Sequence, residues 1–138
     1  MAAKLRHFAI VVRDQEKSAK FYEEAFGFQR AGFAQGEMGS AQFMTDGVVS
    51  LALLYYKKGH KASGLSDENF VGSHHFGIQV DDLKSAGDKI EAAGGTFFYD
   101  LGNENQKVGN FERKFKDPDG IIFDISHTGW SGTADCKK

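Results

Sequence analysis

The chain has 138 residues, of which 41% are hydrophobic and 26% charged, and a formal net charge of −2; this is the size and balance of one ordinary globular domain, and two independent domains are excluded. There is no basic field for a polyphosphate backbone, and no apolar run approaches the roughly 18 residues that span a bilayer, so neither nucleic acid nor membrane is an expected partner. Small molecules remain. A chain of this length buries roughly 68% of its unfolded surface, and its 13 Phe supply bulky core side chains, so any bound metal would be functional rather than structural. The one cysteine, Cys136, lies in a polar tail and offers neither a disulfide framework nor a thiolate cluster. Met1 to Leu5 carry no cationic stretch followed by a long apolar one, and the expected location is cytoplasmic.

Leu5 to Val12 is β-rich and stops ahead of Asp14, a helix-capping residue. A helix is expected over Gln15 to Phe26, with Ala19, Tyr22, Ala25 and Phe26 as its buried stripe and Gly27 as its stop. Three strands follow, Phe28 to Phe33, Gly39 to Thr45 and Val48 to Tyr56, the last two joined by an Asp46-Gly47 hairpin turn. A long loop, Lys57 to Gly72, leads to a second β-rich run, His75 to Val80. Asp82 caps a second helix over Leu83 to Ala93, with Leu83, Ala86, Ile90 and Ala93 on one face and Gly94-Gly95 as its stop. Strands Thr96 to Tyr99, Phe111 to Lys116 and Ile121 to Ser126 close the pattern, with a loop over Asp100 to Asn110 and an Asp117-Pro118-Asp119-Gly120 turn. Loops as long as these two often cover or complete a site.

Residues 7–27 and 75–95 repeat each other in one register. His7 matches His75, Phe8 Phe76, Ile10 Ile78, Val12 Val80, Asp14 Asp82, Glu23 Glu91, Ala25 Ala93 and Gly27 Gly95. Such self-similarity marks a duplicated supersecondary unit. The expected fold class is α+β: two tandem βαβββ modules, about 4–56 and 73–127, forming one incurved sheet around a cavity, with a tail over 128–138, all within a single domain 1–138.

Because side chains alternate on a strand, His7 shares its face with Ala9 and Val11, and His75 with Gly77 and Gln79. If the modules pair about a pseudo-twofold axis, both imidazoles point into one cavity, where the small Ala9 and Gly77 leave room for a ligand. A lone strand His usually bonds a backbone carbonyl; two at symmetric positions favour a site. Asp124 sits in the otherwise apolar run Ile121-Ile122-Phe123-Asp124-Ile125. A buried carboxylate needs a cation or donors, unless the strand turns Asp124 to water. His7, His75 and Asp124 together make the two-imidazole, one-carboxylate set that binds Fe(II), Mn(II) and related ions with open positions. A proton shuttle would come from Tyr56, His60 or His127, and His74 is expected to face away from His75.

The strand openings Arg6-His7-Phe8-Ala9-Ile10-Val11-Val12 and His74-His75-Phe76-Gly77-Ile78-Gln79-Val80, the helix ending Phe21-Tyr22-Glu23-Glu24-Ala25-Phe26-Gly27-Phe28 and the turn Asp117-Pro118-Asp119-Gly120 resemble the vicinal oxygen chelate superfamily over about residues 4–126. That superfamily includes glyoxalase I, methylmalonyl-CoA epimerase, extradiol dioxygenases, fosfomycin-resistance enzymes and bleomycin-binding proteins. The resemblance implies metal ligands at His7, His75 and Asp124, on the first, fifth and eighth strands, with Asp124 where the family usually carries Glu. The family's fourth ligand falls on the fourth strand at Ala52, or at Ser50 with a one-residue shift, and neither side chain is a good donor. The implied pattern is therefore the three-ligand one of dioxygenases and fosfomycin-modifying transferases. Fe2+ is the favoured ion, with Mn2+, Ni2+, Zn2+ or Co2+ as alternatives, and the implied assembly is a homodimer.

The leading expectation is a divalent-metal enzyme with dioxygenase-like chemistry on a small oxygen-chelating substrate. A glyoxalase-like lyase or an epimerase is the runner-up, and a metal-free drug-binding protein the non-enzymatic alternative. The segment Thr128-Gly129-Trp130-Ser131-Gly132 gives no position for Trp130, which could close the cavity or cover a dimer seam.

Overall fold

Alternation of apolar and polar residues directs His7, Ala9 and Val11 inward from β1 (Lys4–Val11), and the same alternation buries His75, Gly77 and Gln79 on β5 (Gly72–Gln79). A computed structural model describes residues 2–108 and 111–137. The first module continues from β1 through α1 (Gln15–Phe26), β2 (Gln29–Gly36), β3 (Gly39–Thr45) and β4 (Ser50–Tyr56). The second runs from β5 through α2 (Leu83–Ala92), β6 (Thr96–Leu101), β7 (Glu112–Lys116) and β8 (Ile122–Ser126). All eight strands form one curled mixed sheet in the order β2-β3-β4-β1-β5-β8-β7-β6. β1 and β5 pair antiparallel at its centre, and each lies parallel to the last strand of its own module, β4 or β8. This is the expected α+β duplication.

Each helix begins where the sequence places an Asp cap. Asp14 accepts the Lys17 N–H at 3.0 Å and Asp82 the Ser85 N–H at 2.8 Å, satisfying donors that lack an intrahelical partner. Gly27 ends α1 in the left-handed region, φ 72°. The stripe expected on α1 is only half right. Ala19 is buried against Met44 and Leu53, and Tyr22 packs beside it, but Ala25 and Phe26 are exposed, Phe26 at 64%. Phe26 instead joins an aromatic cluster at the helix end, its ring centroid 6.4 Å from Tyr22 and 5.9 Å from Phe28. On α2, Leu83, Ala86 and Ile90 pack on Val80, Phe115, Phe123 and Ile125, whereas Ala93 caps the helix and is exposed.

The expected start of β4 at Val48 shifts to Ser50, because Asp46 Oδ1 accepts the N–H groups of both Val48 and Val49 at 2.9 Å and holds them in the turn. The loop expected over Lys57 to Gly72 contains a 3₁₀ turn at Lys61–Ser63. Asn110, the expected end of the other long loop, lies outside the described residues, as do Met1 and Lys138, the ends of the expected domain. No helix among the described residues is long and apolar enough to cross a membrane.

The tail after β8 folds back on the sheet. Trp130 is 1% exposed and joins the inner cluster of Ala9, Val11, Ala41, Phe43, Ala52 and Leu54. Arg6 holds the far end of the tail through Asp135 at 2.8 Å, and Gln79 Nε2 donates to the Asp135 carbonyl at 2.7 Å. The space expected to admit a ligand at Gly77 is filled by this indole: a Cβ there would lie 2.6 Å from Trp130 and 2.9 Å from His7 Cβ. Gly77→Ala should therefore displace Trp130 and destabilise the protein by about 1–3 kcal/mol. Urea denaturation checks this, and unaltered stability would refute the packing role.

Candidate metal centre

The β1–β5 pairing sets Ala9 opposite His75 and His7 opposite Gly77, so the two imidazoles meet across the molecule's central seam with ring centroids 5.4 Å apart. Parallel pairing sets Asp124 of β8 opposite Gly77. Asp124 is fully buried, its neighbours Phe123 and Ile125 packing toward α2, which rules out the solvent-facing alternative. The structure brings His7, His75 and Asp124 together. It adds Glu112 of β7: donor atoms of these four side chains all lie within 4.8 Å of one another.

Lys114, also on β7, is 1% exposed and donates from Nζ to Asp124 Oδ1 at 2.9 Å, with Glu112 Oε2 at 3.9 Å. Burial alone would lower its proton affinity, but Asp124 and Glu112 outweigh burial and hold the ammonium charged, above the usual lysine range. Burial drives His7 down to about 3 and His75 well below the ordinary histidine value. Both rings are therefore neutral, the form that ligates metal. Burial, reinforced by Asp124, raises Glu112. Asp124 Oδ2 lies 3.1 Å from His75 Nε2 but is buried without an aligned hydrogen-bond donor. An orphaned carboxylate oxygen facing two neutral imidazoles fits a divalent cation.

A family profile described as the Glyoxalase/Bleomycin resistance protein/Dioxygenase superfamily matches residues 4–125. The chain belongs to this superfamily. Among solved structures, a hypothetical protein from Bacillus halodurans C-125 is similar at TM-score 0.74 and 15% identity, over 91% of this chain and 94% of that one. A Streptomyces coelicolor methylmalonyl-CoA epimerase variant is similar at TM-score 0.73 and 16% identity, over 88% and 94%. The Mycobacterium tuberculosis methylmalonyl-CoA epimerase is similar at 0.70 and 15%, over 88% and 85%. At these identities the likeness is one of fold. No sequence among curated proteins matches the chain.

As in other duplicated folds, the two halves of this superfamily member can be compared position by position. Ala52 pairs with Ala9 as Asp124 pairs with Gly77, and Phe43 pairs with Ala52 as Lys114 pairs with Asp124. Ala52 is thus the first module's counterpart of Asp124, and Phe43 that of Lys114. Ser50 instead sits opposite His7, with Oγ 3.3 Å from Nδ1. One wall of the resulting cavity, about 330 Å³, is apolar, with Ala34, Ala41, Phe43, Ala52 and Leu54; the other carries His75, Glu112 and Lys114.

Tyr56 and His60 line the same cavity. Burial raises the Tyr56 hydroxyl above its ordinary range, so it stays protonated. His60 Nδ1 accepts the Ala62 N–H at 3.1 Å, leaving Nε2 for the cavity. His127 does not join them: its ring packs on Phe111 and its Nε2 bonds the Gln106 carbonyl. Glu112 and Lys114 were missed in the sequence although a signal existed. Counting back from the Asp117–Gly120 turn pairs Lys114 with Asp124, and alternation then puts Glu112 on the same face.

Two outcomes follow from the charges. Lys114→Met leaves two buried carboxylates without their ammonium and should lower stability by about 3–5 kcal/mol at neutral pH, measured by urea denaturation. The folded His7 pKa lies below its unfolded value, so the unfolded chain binds the extra proton and stability falls as pH drops from about 6.5 toward 3. Glu112, shifted upward, contributes in the opposite sense, its stabilisation fading as pH rises through its folded value. With chelator present, His7→Asn should flatten the acid side of the stability profile by about 1.4 kcal/mol per pH unit. Parallel profiles for the two proteins would contradict the assignment.

Proposed function

We propose that the chain is a divalent-metal enzyme that moves a proton on a small substrate bearing two neighbouring oxygens, as an epimerase or lyase does, rather than a dioxygenase. The observation that carries this reading is Glu112: a carboxylate on the cavity wall, next to the His7, His75 and Asp124 set and in addition to the three donors that set needs. In this reading His7, His75 and Asp124 hold the ion, which when bound supplies Lewis acidity toward the substrate oxygens. Glu112 takes and returns the proton at the carbon beside them. The Lys114 ammonium and the Tyr56 hydroxyl border the same space and donate hydrogen bonds where negative charge develops on oxygen. The apolar wall of Ala41, Phe43, Ala52 and Leu54 holds the rest of the substrate and excludes water.

The similarity in fold to methylmalonyl-CoA epimerases supports the epimerase form of this reading; the dioxygenase form has no comparable support. The test incubates the protein, loaded in turn with Co2+, Ni2+, Zn2+, Mn2+ and Fe2+, with 2-oxo acids and malonyl thioesters in deuterated water and follows exchange at the acidic carbon by NMR. Exchange should depend on metal, drop about 10²–10⁴-fold in Glu112→Gln with metal retained, and vanish with the metal in Asp124→Asn. Oxygen uptake on catechols without any exchange would restore the dioxygenase reading. Failure of every ion to bind would favour the metal-free binding protein.

A further inference from the structure

Next to the ligand set, His74 and His75 are consecutive on β5, where alternation should point them to opposite faces. Their rings nevertheless meet edge to face, with Nδ1 of His74 2.6 Å from Nδ1 of His75. His74 Nε2 reaches the Ser63 carbonyl, and its ring rests on Tyr56, centroids 5.0 Å apart.

With one proton on each ring, only one arrangement of hydrogens satisfies this chain of contacts. A carbonyl oxygen can only accept, so the proton of neutral His74 is on Nε2, and His74 Nδ1 carries a lone pair. The Nδ1-to-Nδ1 contact then needs its hydrogen from His75. With its single hydrogen on Nδ1, His75 presents a bare Nε2 toward Asp124. At the other end of the chain, Asp124 Oδ2 is 3.1 Å from His75 Nε2 without an aligned donor, so no hydrogen bond there demands a proton on Nε2.

We propose that His74 is a positioning residue that, anchored on the Ser63 carbonyl, fixes His75 in its Nδ1–H tautomer with the Nε2 lone pair aimed into the ligand set. The anchor belongs to the Lys61–Ser63 turn, whose N-cap is the cavity-lining His60. The loop bordering the cavity and the His75 ligand are therefore one hydrogen-bonded unit. Partners of this kind typically change metal affinity 10- to 100-fold. The consequence for ion binding rests on the metal reading above; the tautomer does not.

The test is a long-range proton–nitrogen NMR spectrum of the full chain, 15N-labelled and held metal-free by chelator, together with Co2+ titration of the chelator-free protein. The wild type should show His75 protonated at Nδ1 and bare at Nε2, and His74 protonated at Nε2. In His74→Leu the His75 ring should lose this single tautomer, and Co2+ affinity should fall about 10- to 100-fold. His74→Gln, whose side chain can both accept from His75 and donate to Ser63, should restore the tautomer and most of the affinity. A wild-type spectrum with His75 protonated at Nε2, or a His74→Leu protein that keeps both tautomer and affinity, overturns the proposal. Should His74→Leu fail to fold, the wild-type spectrum and the Gln variant decide it. If the tautomer pattern holds and no protein binds Co2+, the positioning role stands and the metal reading falls.

Discussion

Antiparallel pairing of β1 with β5 carries the rest of the molecule, because every inward-facing group takes its address from that one register. His7 lies across from Gly77 and Ala9 across from His75; each strand then hands the register on to β4 or β8 through a parallel ladder. A one-residue slip at the seam would put the two imidazoles on opposite faces of the sheet. The seam is held by more than its ladder. The indole of Trp130 lies on the His7 ring, centroids 4.7 Å apart and planes 3° from parallel, over the one position in β5 whose missing side chain makes room for it.

Duplication supplies the geometry, and divergence supplies the chemistry. Positions that are Ala41, Phe43 and Ala52 in the first module are matched by Glu112, Lys114 and Asp124 in the second, so among the described residues the buried carboxyl and ammonium groups come from the second module. The Lys114 ammonium shares this buried space with two carboxyl groups and two imidazoles that burial keeps neutral. A closed ion network of this type does little for stability compared with apolar packing. Its retention at the floor of a cavity is understandable if an additional cation or an oxygen-rich substrate completes it.

The repeat, both helix caps, the seam histidines and Asp124 could be read directly from the residues, because each rests on local spacing. What escaped depends on long-range placement. Glu112 and Lys114 sit on β7, flanked by β6 and β8, and only that placement buries their side chains. His127 is only three residues beyond Asp124, yet β8 ends at Ser126 and the ring swings away to Gln106. Strand alternation misjudged His74, since an imidazole is long enough to reach around its own backbone to the neighbouring ring. Trp130 follows a glycine at φ 81°, and after such a turn no pattern in the sequence says where the chain returns.

That return has a consequence for how the molecule is made. Arg6 near the start of β1 and Asp135 in the tail are 129 positions apart in sequence, and the stacked partner of His7 comes nearly as late. Contacts of such separation form slowly because a long loop must close first. During synthesis the first strand and its imidazole emerge well ahead of the indole, and one ring face stays bare until the segment after β8 follows.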